Sequence, residues 1–60
     1  MPDQKLLLLA VDLRVRAKEV AVRAETFHDE EARQKLRRIA ETYVKLAQRL
    51  EQRAHSVDEM

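Results

Sequence analysis

The sequence predicts an all-α fold: an antiparallel two-helix hairpin that dimerises into a four-helix bundle. Three observations carry this expectation. From Ala32 to Ala54 the apolar residues Ala32, Leu36, Ile39, Ala40, Tyr43, Leu46, Ala47, Leu50 and Ala54 return every three or four positions, the spacing of one helical face. An upstream stripe with the same spacing is available to cover that face. Between the two stripes the seven-residue rhythm breaks in a way that a reversal of the chain resolves.

The first helix is expected over residues 3–26. Asp3 can accept a hydrogen bond from an early backbone N–H, and Pro2 stays outside the helix without removing a needed donor. The inner stripe of this helix reads Leu6, Leu9, Ala10, Leu13, Ala17, Val20, Ala21, Ala24 and Phe27. Its remaining aliphatics, Leu8, Val11, Val15 and Val22, line up on the opposite side. Charged residues fill the seams between the two apolar faces: Lys5, Asp12, Arg16 and Arg23 along one, Arg14, Lys18 and Glu25 along the other. A single neighbouring helix covers one face, so a helix that is apolar front and back calls for a second partner.

The turn is expected at residues 27–29. Large residues stand every seven positions at Leu6, Leu13, Val20 and Phe27, and again at Leu36, Tyr43, Leu50 and Val57. The step from Phe27 to Leu36 exceeds a heptad by two residues, whereas a continuous coiled coil absorbs three or four. Two residues rotate the stripe by roughly 200°, so an unbroken helix would aim its halves in opposite directions. The second helix is expected over residues 29–54. Asp29 is its expected N-cap, with Glu30 and Glu31 in the first turn where the helix dipole favours acids; Thr26 as the cap, with Asp29 at the third helical position, is the competing boundary. Residues 55–60 are expected to fray.

Both helices carry a row of alanines beside a row of large residues. Ala10, Ala17 and Ala24 follow Leu6, Leu13 and Val20 by four positions; Ala40, Ala47 and Ala54 follow Leu36, Tyr43 and Leu50 by the same step. Small side chains in register allow two antiparallel helices to approach closely while the large ones fill the flanks. These twelve residues are the expected hairpin interface. Outer-surface support comes from acid-before-base pairs one turn apart, namely Asp12 with Arg16, Glu19 with Arg23, Glu31 with Lys35 and Glu41 with Lys45.

Sixty residues bury little surface in a single chain, and the absence of cysteine removes disulfides and thiolate metal sites as a remedy. No glycine, one proline and 38% charged residues describe long surface helices and coiled coils, which leaves oligomerisation. Twelve basic against eleven acidic side chains give a net charge of +1, so no global field selects nucleic acid or an anionic membrane. The apolar run Leu6 to Val11 is too short to span a bilayer and lacks the flanks of a signal peptide, so a cytoplasmic protein with no membrane role is expected.

Few residues point to chemistry. Glu25 and His28 have the spacing that di-iron bundles project inward, but such sites also need carboxylates from the neighbouring helices, and Glu41 and Glu51 fall outside the apolar stripe. A turn histidine beside a surface glutamate is the plainer reading, and no metal or other cofactor is expected; an iron-binding bundle stands as the alternative. Glu51 and His55 lie one helical turn apart, where a histidine answers the helix dipole or the neighbouring acid. Ser56 has no base to activate it, and no glycine-rich phosphate loop is present, so no enzyme is expected. Arg33, Lys35, Arg37 and Arg38 cluster in sequence but spread around the helix without aromatic neighbours, so a solvated surface is the plainer reading, and weak binding of nucleic acid or another acidic partner stands as a second alternative.

The segment Asp29-x-x-Ala32-Arg33-x-x-Leu36-x-x-Ile39-Ala40-x-x-Tyr43-x-x-Leu46-Ala47-x-Arg49 resembles the short helical-hairpin proteins of alphaproteobacteria such as the rhizobia. The likeness covers about half the chain, and Glu30 stands where those proteins frequently carry proline. The resemblance implies a bacterial cytoplasmic protein and assigns no activity. The functional expectation is a small non-enzymatic structural or interaction module that self-associates, first as a homodimer, through Leu8, Val11, Val15 and Val22. A heterologous helix is the other partner that this outer stripe would suit.

Overall fold

The computed structural model describes residues 2–56, so Met1 and the expected frayed segment 57–60, Val57 included, lie outside the described residues. Two helices make up the described chain: α1, Gln4–Thr26, and α2, Glu30–Ser56. They pack on each other as a hairpin with principal extents of 49 × 14 × 9 Å. His55 and Ser56, expected in the frayed tail, are helical, and Ser56 Oγ donates to the Gln52 carbonyl at 2.8 Å.

Local chemistry sets each helix end. Asp3 caps α1: its Oδ1 accepts from Lys5 N at 3.0 Å and Leu6 N at 3.3 Å, satisfying two of the orphan donors of the first turn. At the other end the chain leaves the helix through Phe27, whose extended backbone (φ −86°, ψ 136°) still donates to the Ala24 carbonyl. Thr26 turns its hydroxyl back onto the Arg23 carbonyl at 2.7 Å. Asp29 Oδ1 accepts from Glu31 N at 3.1 Å and the Asp29 carbonyl accepts from Arg33 N, so Asp29 rather than Thr26 caps α2. Phe27, His28 and Asp29 make the reversal with no residue at positive φ among the described residues, which explains why a turn without glycine suffices.

The buried side chains are the six alanines and no others among the described residues: Ala10, Ala17 and Ala24 on α1, Ala40, Ala47 and Ala54 on α2. Each row repeats every seven residues, and a methyl group at every contact lets the backbones approach closely. The same rows extend by one heptad to polar ends. Asp3 precedes Ala10, and its N–H donates to the Ala54 carbonyl in the last turn of α2 at 3.2 Å, tying the open end of the hairpin. Arg33 precedes Ala40 near the turn, pairs with Glu30, and leaves its Nε buried without a partner.

Leu6, Leu13, Val20, Leu36, Tyr43 and Leu50, expected beside the alanines, are half-buried. The structure corrects the wider inner stripes. Leu9 and Phe27 on the α1 side, and Ile39 and Leu46 on α2, are exposed. The reason is angular. Leu9, Ile39 and Leu46 each stand immediately before a seam alanine and so point about 100° away from the seam, beyond the reach of the narrow alanine contact, and Phe27 lies past the last residue of α1. Two expected surface pairs form, Asp12 with Arg16 at 3.1 Å and Glu31 with Lys35 at 3.7 Å. Glu19 with Arg23 and Glu41 with Lys45 do not come within ion-pair distance.

Candidate association surface

The flank on which each side chain lies follows from its distance to the nearest seam alanine. A residue three positions before an alanine sits about 50° to one side of the seam, and a residue four before sits about 50° to the other. Arg14 and Glu51 each stand three before a buried alanine, Ala17 and Ala54, and their side chains meet in a two-pronged pair: Arg14 Nε donates to Oε2 at 2.8 Å and Nη2 to Oε1 at 2.7 Å. The rows three before the alanines therefore share one side of the hairpin. The rows four before, Leu6, Leu13, Val20 and Leu36, Tyr43, Leu50, share the opposite side.

That opposite side is a continuous apolar face to which both helices contribute. Its two central rows are half-buried, and its edges carry Leu9 (53% exposed), Ile39 (46%) and Leu46 (42%), with Phe27 at the turn end. Arginine takes the remaining edge places, at Arg16 and Arg23 on α1 and Arg53 on α2. Leu8, Val11, Val15 and Val22, the expected association surface, form a separate and narrower stripe on the back of α1, all four exposed. The sequence carries a signal for the wide face: with alanines as the seam, every large residue beside them has room to face outward.

The side bearing Arg14 and Glu51 is mixed in character. An open groove there has Ala17, Ala21, Ala40 and Val44 as its floor, with Lys18, Glu41 and Lys45 on its walls. The hydrogen bonds from Arg14 lower the Glu51 pKa, aided by the charges of Arg14 and His55 and opposed by partial desolvation; the same contact raises that of Arg14. A carboxyl group whose folded pKa is depressed contributes stability that is present above its unfolded pKa and is lost as pH falls through the folded value. Acid titration of the melting temperature should therefore show a fall beginning as pH drops through the ordinary carboxylate range. The Arg14→Met chain should show a shallower fall, small in size because both side chains touch solvent.

Of the expected chemical candidates, Glu51, His55 and Ser56 line one open depression together with Arg14, where the Ser56 hydroxyl is engaged with the Gln52 carbonyl and Glu51 with Arg14. Glu25 lies in the last turn of α1 and His28 in the turn, both exposed, and no group of three metal-ligating side chains occurs among the described residues. Of the basic cluster, Arg33 is engaged with Glu30 and Lys35 with Glu31, while Arg37 and Arg38 are exposed. No helix is long and apolar enough to cross a membrane among the described residues. No family model, curated protein or solved structure matches the chain, so the functional reading rests on geometry.

Proposed function

We propose that this chain is a non-enzymatic self-association module whose hairpins pair face to face into a four-helix bundle. The observation that carries the reading is uncovered area. The chain exposes 5124 Å² for a mass of 7.1 kDa, against about 4,100 Å² expected of a compact monomer of that mass. The excess, about 1,000 Å², is close to the roughly 800 Å² that each partner contributes to a standard interface. Six methyl groups as the buried core of the described residues point the same way, because so small a core leaves the hairpin dependent on association.

The wide face is placed ahead of the α1 back stripe for a geometric reason. It draws on both helices, so closing it buries the half-covered rows of Leu6, Leu13, Val20, Leu36, Tyr43 and Leu50 together, whereas the stripe offers four aliphatics on one helix. Sedimentation at micromolar concentration tests the reading: a species of twice the chain mass is expected, and a folded monomer throughout would overturn it.

A further inference from the structure

We infer that the two hairpins pair in one orientation, with α1 of each lying antiparallel against α2 of the other and Asp12 of each chain beside Arg49 of the second copy. The inference deepens the self-association reading and rests on it. Two hairpins placed face to face have two antiparallel arrangements open to them. A two-fold axis parallel to the helices sets α1 against α2 of the second copy at both outer contacts. A two-fold axis across the helices sets α1 against α1 and α2 against α2.

Charge along the edges of the wide face separates these arrangements. Beyond Ile39 and Leu46, the edge of α2 carries Lys35, Arg49 and Arg53, and no acid. The corresponding edge of α1 carries the acids Asp12 and Glu19, along with Lys5, Arg16 and Arg23. An α2–α2 contact would set three bases against three more, of which Lys35 alone holds an acid of its own helix, Glu31, and like charges at close quarters oppose association. An α1–α2 contact brings Asp12 and Glu19 to the basic edge twice over, once on each side of the bundle.

Register adds a specific match. A two-fold axis parallel to the helices leaves every residue at its own height, so heights read within one hairpin apply across the pair. Two ties between the helices bracket that register: the Asp3 N–H on the Ala54 carbonyl and Arg14 on Glu51. Halfway between them, Asp12 stands level with Arg49. Both occupy the outer flank of the same contact, each two positions after one seam alanine and five before the next: Asp12 between Ala10 and Ala17, Arg49 between Ala47 and Ala54. Asp12 already holds Arg16 of its own helix at 3.1 Å with its carboxylate still exposed, so it can accept from both arginines.

The chain has no cysteine, which makes crosslinking selective. Asp12→Cys and Arg49→Cys chains are each treated with a short bis-maleimide, alone and as an equilibrated equimolar mixture, with circular dichroism confirming the helices and sedimentation giving the oligomeric state. The mixture should yield a linked dimer about tenfold or more faster than either variant alone, the advantage of groups held side by side. Linkage of the Asp12→Cys chain to itself at the rate of the mixture would show α1 against α1 and overturn the orientation. A dimer in sedimentation that links in none of the three samples would overturn it as well. A monomer in sedimentation, for the wild-type chain too, would instead remove the self-association on which the inference rests.

Discussion

Replacing Ala47 with leucine should lower the melting temperature by more than the same enlargement at an exposed alanine. Ala47 is fully buried, in the middle of the α2 alanine row. The helices meet there through methyl groups, so a leucine has no space unless the backbones part. Overpacking of a close contact costs about 1–3 kcal/mol. A chain of this length has total stability on the order of 3–9 kcal/mol, so the change removes a large fraction of it. For so small a domain each kcal/mol corresponds to about 4–8 °C, and a drop on the order of 10 °C in a circular dichroism melt is the expected result. Ala21→Leu provides the comparison, because Ala21 is exposed on the open groove beside the seam, where the same added atoms have room without parting the backbones. Equal shifts in the two variants would mean that the alanine rows do not set the helix separation.

The alanine rows were legible in the sequence because they follow from local spacing alone. Three alanines every seven residues on each helix, with large residues four positions earlier, define a seam without reference to anything distant. The reversal was legible for the same reason: the step from Phe27 to Leu36 violates helical phase, and Asp29 carries a side chain able to cap the new start. Features that depend on two helices at once were not legible. Arg14 and Glu51 each sit on the polar side of their own helix, and their pairing requires the register of the hairpin, which spacing within one helix does not contain. The same limit explains Leu9, Ile39 and Leu46. Each belongs to the apolar arc of its helix, yet which part of that arc meets the neighbour is decided by the narrow alanine contact. Arg33 is a further case, since it occupies a seam position by heptad phase and is partly buried near the turn, where a list of basic residues places it at the surface.

Leu46→Glu should dissociate the assembly while leaving the hairpin contact itself untouched. Leu46 is 42% exposed and stands on the edge of the wide face, one position before a seam alanine. Covering the exposed part of Leu46 contributes about 0.6–1.3 kcal/mol, its share of a whole leucine side chain, and a two-fold interface contains the residue twice. The loss per dimer is therefore about 1.2–2.6 kcal/mol, roughly tenfold to a hundredfold in association, and the cost of drying two carboxylates adds to it. Sedimentation at micromolar concentration should move from dimer to monomer. Val15→Glu gives the opposing case, because Val15 lies on the back of α1, away from the wide face. If association runs through the wide face, Val15→Glu leaves the dimer in place; if Val15→Glu dissociates it and Leu46→Glu does not, the α1 back stripe carries the association. Melting separates a lost interface from a lost fold. If the hairpins associate as proposed, each draws stability from its partner by mass action, so wild-type melting should rise with protein concentration and Leu46→Glu melting should not. Concentration-independent melting of both chains would mean that the alanine seam holds the hairpin unaided and that the wide face is open for another purpose.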